Sequence, residues 1–151
     1  GGTLQMATSA AEAAQAETGV ATRLVRAAEA SPEDLLRAEG YIFACPENLA
    51  ALSGEMKEFF DRCYYPVLGR IEGRPYALMV CAGSDGENAV RQMARIATGW
   101  RLKPVAEPII VNTAAQTPEA ILAPKTIPDP ELARCAELGQ ALAAGLALGV
   151  F

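Results

Sequence analysis

The sequence contains no histidine. That absence removes Ser-His-Asp and Cys-His nucleophilic catalysis, the usual imidazole metal ligand, and the side chain that changes charge near neutral pH. Its four cysteines, Cys45, Cys63, Cys81 and Cys135, form no C-x-x-C pair. A zinc site is therefore not expected, and small buried hydrophobes is the ordinary reading of such thiols. Positive charge is also scarce: 13 basic residues against 18 acidic ones give a net charge of −5, and the basic residues form no block. A nucleic-acid or anionic-membrane surface needs clustered Lys and Arg, so neither partner is expected. The longest apolar run near a terminus, Ala141–Phe151, is eleven residues and too short to span a bilayer. No basic-then-apolar signal opens the chain, which makes the cytoplasm the default location. No side chain stands out as catalytic. An enzyme with this inventory would take its chemistry from a bound cofactor.

What is present is enough for one domain over residues 1–151, with 51% hydrophobic and 21% charged residues to build a core and its surface. Thr3–Thr18, rich in Ala, Glu and Gln and followed by Gly19, predicts a helix. Val20–Ala27 predicts a strand whose polar interruptions, Thr22, Arg23 and Arg26, suit an edge position. Ser31-Pro32-Glu33-Asp34 starts a short helix: Ser at the N-cap, Pro at N1, acids in the first turn. Tyr41–Cys45 is a strand-like apolar run ending at Pro46. A turn region, Pro46–Gly54, leads into a helix whose apolar face is Met56, Phe59, Phe60, Cys63 and Tyr64. Pro75–Ala82 is a continuous apolar run, as in a strand covered on both faces of a parallel sheet. Ser84-x-x-Glu87 offers a capping box for a helix through Thr98, with Val90, Met93, Ala94 and Ala97 as its buried stripe. Pro108–Asn112 is a further strand. Thr117-Pro118-Glu119 starts a short helix, and Asp129-Pro130-Glu131 caps a last one carrying Leu132, Cys135, Ala136, Leu138, Leu142 and Leu146.

Strands alternating with helices call for an α/β fold with a doubly wound parallel sheet. Such sheets bind ligands at the carboxyl ends of their strands. Function is therefore sought in the loop Pro46–Ser53 and in other loops at that edge. Cys45 and Cys81 close two strands and could face it together. At the start, Gly1-Gly2-Thr3 enters a helix directly, a pattern that suits an anion: free N–H groups, glycines that permit close approach, and a hydroxyl. In an alternating fold a strand is expected before that helix, so about ten residues, a strand and its turn, are expected ahead of Gly1.

Together the three loops resemble those of the flavodoxin-like FMN reductases. Gly1-Gly2-Thr3 is similar to the end of that family's phosphate loop. Pro46-Glu47-Asn48-Leu49-Ala50-Ala51-Leu52-Ser53-Gly54-Glu55-Met56-Lys57-Glu58-Phe59-Phe60-Asp61-Arg62 is a long match to its second loop, which passes beside the flavin ring. Cys81-Ala82-Gly83-Ser84-Asp85-Gly86 lies where the third loop closes on the ring. The resemblance implies a flavodoxin-like strand order 2-1-3-4-5, with the first, central strand absent from this chain. It also implies FMN held by Gly1, Gly2 and Thr3 at the phosphate, by Pro46, Glu47, Asn48, Leu49 and Ala50, and by Ala82, Gly83, Asp85 and Gly86 around the ring. NAD(P)H would be the co-substrate and a quinone-like or other small molecule the electron acceptor. Homo-oligomerisation across the apolar Leu146–Phe151 is compatible with it.

Other readings stand beside this one. A flavodoxin-type electron carrier without NAD(P)H oxidase activity would share the loops. The second loop has no aromatic flank for the flavin, which favours an open face that admits substrate. A flavin-free interaction module of receiver type needs acids at the strand ends, where this chain has Cys45 and Cys81. Glu47, Asp85 and Glu87 as a carboxylate cluster compete with the reading of Glu87 as a cap and Asp85-Gly86 as turn residues. Trp100 and the Tyr64-Tyr65 pair are either ligand contacts or packing.

Overall fold

The apolar run Pro75–Ala82 is the middle of the sheet and is buried at every position. The computed structural model describes residues 1–151. Strand β1, Tyr41–Asn48, and the two-residue strand β2, Ala51–Leu52, precede that run, which is β3; β4, Lys103–Pro104, and β5, Ile109–Asn112, follow it. β1 and β3 pair in parallel from Tyr41↔Tyr76 to Pro46↔Cys81. On the other edge of β3, β4 pairs with Pro75–Tyr76 and β5 with Met79–Ala82, both in parallel. β2 folds back antiparallel on Glu47–Asn48. The result is an open, mostly parallel sheet in the flavodoxin-like order, with helices on both faces.

Six helices accompany it: α1 Gly2–Gln15, α2 Pro32–Arg37, α3 Gly54–Val67, α4 Glu87–Gly99, α5 Pro118–Leu122 and α6 Asp129–Leu148. Local chemistry sets their starts. Ser31 accepts from Asp34 N–H while the Asp34 carboxylate accepts from Ser31 N–H, Ser53 accepts from Met56 N–H, and Thr117 from Ala120 N–H. α3 and α4 cover one face with Phe43, Phe59, Phe60, Met93 and Trp100 in one core. α1 and α6 cover the other with Met6, Ala10, Met79, Val111, Cys135 and Leu138. At their crossing, a Cβ on Gly139 would lie 2.1 Å from the Ala10 carbonyl oxygen, so only glycine allows this helix spacing.

Trp100 is fully buried, stacks on Tyr64 at 5.7 Å, and donates its indole N–H to the Tyr64 carbonyl at 3.0 Å. Trp100 and Tyr64 are packing, whereas Tyr65 stands exposed. The four cysteines are buried and unpaired. Cys45 and Cys81 do not share a face: Cys45 belongs to the α3/α4 core and Cys81 to the α1/α6 core.

Three sequence expectations are corrected. Val20–Ala27 is not a strand; none of its amides donates to another backbone group. It joins no strand of the sheet, and without a backbone partner its extended composition makes no ladder. Pro46 does not end β1, which continues to Asn48. A proline removes one donor, and an edge without a partner loses nothing by that. The Ser84–Glu87 capping box does not form. α4 begins after Gly86, which is left-handed at φ 90°, with no side-chain cap. Of the expected stripe, Met93 and Ala97 are fully buried, together with Ala89, and Val90 and Ala94 are half-buried against the same core.

Phe60 packs against Phe43, Phe59 and Trp100 at 5.3–5.5 Å between ring centroids. Phe60→Ala is expected to cost about 3–5 kcal/mol in denaturant unfolding, the range for large aromatic truncations. Asp34 is held below the ordinary aspartate pKa by the Ser31 backbone N–H, against the opposing effect of burial, with help from Arg23 at 2.6 Å. A depressed carboxylate stabilises the fold above its ordinary pKa, and that stability disappears as pH falls through the lowered value. Asp34→Asn should therefore destabilise by about 1 kcal/mol at neutral pH. The two proteins should converge in thermal melts at strongly acid pH.

Candidate functional site

The carboxyl ends of β1 and β3 and the start of α1 meet at one edge of the sheet. Gly2 begins α1 pressed onto β3: a Cβ there would lie 2.6 Å from Cys81 Sγ and 3.0 Å from Ile127 Cδ1. That close seating brings the first turn of α1 over the strand end. No side chain caps the helix, and its first turn carries no acidic residue, so its free N–H groups keep their positive potential. Thr3 Oγ1 lies in this turn, buried and without a hydrogen-bond partner. An orphaned hydroxyl beside free helix N–H groups is what an absent anion would satisfy.

The second wall is a hairpin. β1 runs out to Asn48, turns through Leu49 and Ala50, and returns as β2. Both turn residues are left-handed, φ 51° and 61°, the geometry of a type I′ turn, which ordinarily carries Asn and Gly. Each non-glycine residue in that region costs about 1–2 kcal/mol. The strained hairpin is held from α4: Asn88 Nδ2 donates to the Ala50 carbonyl at 2.6 Å, and Gln92 Oε1 accepts from Leu52 N–H at 2.9 Å. Leu49 stands fully exposed at the tip.

The third wall is Ala82–Gly86. Glu47 Oε2 accepts from Gly86 N–H at 2.7 Å, tying the second and third loops together. That amide is thereby committed within the protein, and Gly86 and Asp85 stand outside the cavity that the other predicted residues line. Gly1, Gly2, Thr3, Pro46, Glu47, Asn48, Leu49, Ala50, Ala82 and Gly83 all border one cavity of about 1770 Å³. Gly83 allows it to close, since a Cβ there would lie 2.5 Å from the Ala115 carbonyl oxygen.

A fourth loop was not read from the sequence. Thr113, Ala115, Ile121, Leu122 and Lys125, which follow β5, border the same cavity. Gln5 holds this loop to α1, donating to the Lys125 carbonyl at 2.7 Å and accepting from Ile127 N–H at 2.9 Å. Lys125 Nζ donates to the carbonyls of Ala120, Ile121 and Ala123 and adds a positive charge near Cys81. Burial nevertheless pushes the Cys81 thiol above its ordinary pKa, as it does those of Cys45, Cys63 and Cys135. The thiols are packing, not nucleophiles.

Residues 26–116 match the family model of NADPH-dependent FMN reductases. The chain belongs to that family. The match takes in the second and third loops and leaves Gly1–Thr3 and Lys125 outside. Among individual proteins, a flavodoxin of Aquifex aeolicus is 36% identical over 95 residues, 62% of this chain and 51% of that protein. The chain thus spans about half the length of that curated relative. A flavodoxin of Streptococcus pneumonia TIGR4 superposes with TM-score 0.75 at 18% identity, over 95% of this chain and 91% of that one. A flavone reductase gives 0.73 at 18% identity, over 99% of this chain and 60% of that one. At such identities the two structures establish the fold that this FMN reductase family member shares with them.

Ala50→Gly should relieve the hairpin turn and raise stability by about 1 kcal/mol in thermal or denaturant unfolding. A loss of stability would contradict the strained type I′ geometry. The thiols should resist a disulfide reagent such as dithionitrobenzoate in the native protein at pH 8, and all four should react in denaturant.

Proposed function

We propose that this protein is an FMN-binding oxidoreductase that takes electrons from NAD(P)H and passes them to a small, quinone-like acceptor. The observation that carries the reading is the buried, unpartnered Thr3 hydroxyl at the uncapped start of α1. It sits in the same cavity as the Pro46–Ala50 and Ala82–Gly83 loops. These residues fit the cofactor. A phosphate dianion would take the α1 N–H groups and the Thr3 hydroxyl, and Gly1 and Gly2 leave it room. Lys125 adds charge of the right sign from the fourth loop. Pro46, Asn48, Leu49 and Ala50 supply an apolar ledge and an amide for a flat, amphipathic ring, and the Gly83 backbone borders it from the third loop. Glu47 is a positioning residue that locks the two loops in register, and Asp85 lies beyond the lining. FMN, when bound, supplies the two-electron chemistry for which this chain has no side chain.

What the protein itself does is bind, orient and exclude water. The absence of histidine and the burial of the cysteines leave this edge without an imidazole or a reactive thiol. The loops bring no aromatic side chain over the ring position, and Leu49, Ile121 and Leu122 are large, exposed and apolar at the rim. An uncovered face with an apolar rim suits a second planar ring, such as a nicotinamide or a quinone. This favours a reductase over a pure electron carrier, which needs its flavin shielded. The cytoplasm, where NAD(P)H is available, is the proposed location. No helix is long and apolar enough to cross a membrane. The exposed Leu148, Val150 and Phe151 are the proposed surface for a homo-oligomer.

The test is FMN binding by flavin fluorescence, followed by NADPH consumption with benzoquinone as acceptor. Tight binding and acceptor-dependent NADPH oxidation are expected. Binding without any NADPH oxidation would favour the electron carrier, and no binding would overturn the reading. Thr3→Ala should weaken FMN by about ten- to hundred-fold, the value of one charge-assisted hydrogen bond. It should leave the unfolding of the flavin-free protein unchanged, because the lost hydroxyl has no partner there.

A further inference from the structure

The third and fourth loops border the cavity side by side, with Ala82, Gly83 and Ser84 from one and Thr113 and Ala115 from the other. They leave the sheet together: Ala82 of β3 lies opposite Asn112 of β5 in the last pair of the ladder. Thr113 prolongs that pairing by one step. Its N–H donates to the Ala82 carbonyl at 2.8 Å and its hydroxyl to the same oxygen at 3.2 Å. Gly83 then passes directly against the Ala115 carbonyl.

Beyond this point the ladder has no further pairs, and one side chain takes over. Asn112 Nδ2 donates to the Ser84 carbonyl, and Asn112 Oδ1 accepts from Ala114 N–H at 2.8 Å. Ala114 is left-handed at φ 56°, a conformation that a residue with a side chain rarely adopts unless its surroundings hold it there. The two contacts need both halves of a carboxamide. A flipped amide would set N–H against N–H and carbonyl against carbonyl, and a carboxylate has no donor for Ser84. Neither Asn112 nor Ala114 borders the cavity. The amide can reach a ligand only through the backbones that do.

We propose that Asn112 is a positioning residue that sets the Ala82–Ser84 backbone, and with it the wall of the cavity beside the ring of a bound flavin. The third loop is pinned on both sides of Asp85: Asn112 takes the Ser84 carbonyl, and Glu47 takes the Gly86 N–H at 2.7 Å. Without the Asn112 donor, the Ser84 carbonyl is free to turn and Gly83 loses its fixed place against the fourth loop. The clamp itself stands on the contacts within the chain, and its effect on flavin rests on the FMN reading above. It divides the grip on the ligand in two. The start of α1 and Thr3 act on the phosphate, and Asn112 acts on the ring.

The test uses Asn112→Asp, which keeps an acceptor for Ala114 N–H and removes the donor to Ser84. Amide hydrogen exchange without flavin reads the clamp. Exchange at Thr113 and Gly86, the donors that hold the third loop from either side, should quicken at least about ten-fold, and Val80 inside β3 should not change. The Ala114 amide should stay protected in Asn112→Asp and lose protection in Asn112→Ala, which removes both contacts. Unchanged exchange at Thr113 and Gly86, an equal rise at Val80, or an Ala114 amide that behaves alike in the two variants overturns the proposal. Flavin binding then reads the consequence, with riboflavin as the ring without its phosphate. Asn112→Asp should weaken FMN and riboflavin by the same factor, about three- to ten-fold, the value of one neutral hydrogen bond. Thr3→Ala should weaken FMN and leave riboflavin unchanged. FMN weakened by Asn112→Asp with riboflavin unaffected overturns the assignment to the ring. A wild-type protein that binds neither flavin overturns the FMN reading instead, and the exchange measurement still decides the clamp.

Discussion

The seating of Gly2 on the end of β3 is the contact on which the rest of the site depends. Because Gly2 has no side chain, the first turn of α1 comes down onto Cys81 and Ile127. That brings the helix N-terminus, with its unpaired Thr3 hydroxyl, level with the loops that leave β1 and β3. Any larger residue would lift the helix away from the sheet edge. The same contact explains why Cys81 is buried, and it leaves the partial positive charge of the helix start at the sheet edge.

Around that contact, the loops form a frame in which side chains fix the backbone that borders the cavity. Glu47 ties the second loop to the third, Asn88 and Gln92 of α4 steady a strained hairpin, and Gln5 of α1 clips the fourth loop. Leu49, Ile121 and Leu122 stand exposed at the rim of this frame. Strain in the Leu49-Ala50 turn is a local cost that the contacts from α4 hold in place.

Much of this was legible in the sequence because the signals were local. The unbroken run Pro75–Ala82 announced a strand buried on both faces, and Met56, Phe59, Phe60 and Cys63 announced the buried face of α3. Ser31, Ser53 and Thr117 cap helices where short polar residues should. What was not legible depended on partners far along the chain. Val20–Ala27 has a strand's composition and no ladder, because a strand is defined by its neighbour. The hairpin at Leu49-Ala50 lacks the Asn-Gly signature of its turn type, so nothing local marked it. Gly86 replaced Ser84 as the start of α4 because its left-handed backbone lets Glu47 take the amide. Lys125 joined the site through a contact with Gln5, 120 residues away.

The central claim is that the carboxyl edge, built from α1 and three loops, is where flavin binds. The most direct measurement is a titration of nitrogen-labelled protein with FMN, followed by amide chemical shifts. The account predicts the largest shifts at Gly2, Thr3, Asn48, Leu49, Ala50 and Gly83, with none at Glu72, Gly145 and Phe151 at the opposite end of the sheet. Shifts confined to that opposite end, or none at Gly2 and Thr3 while FMN is bound, would contradict it.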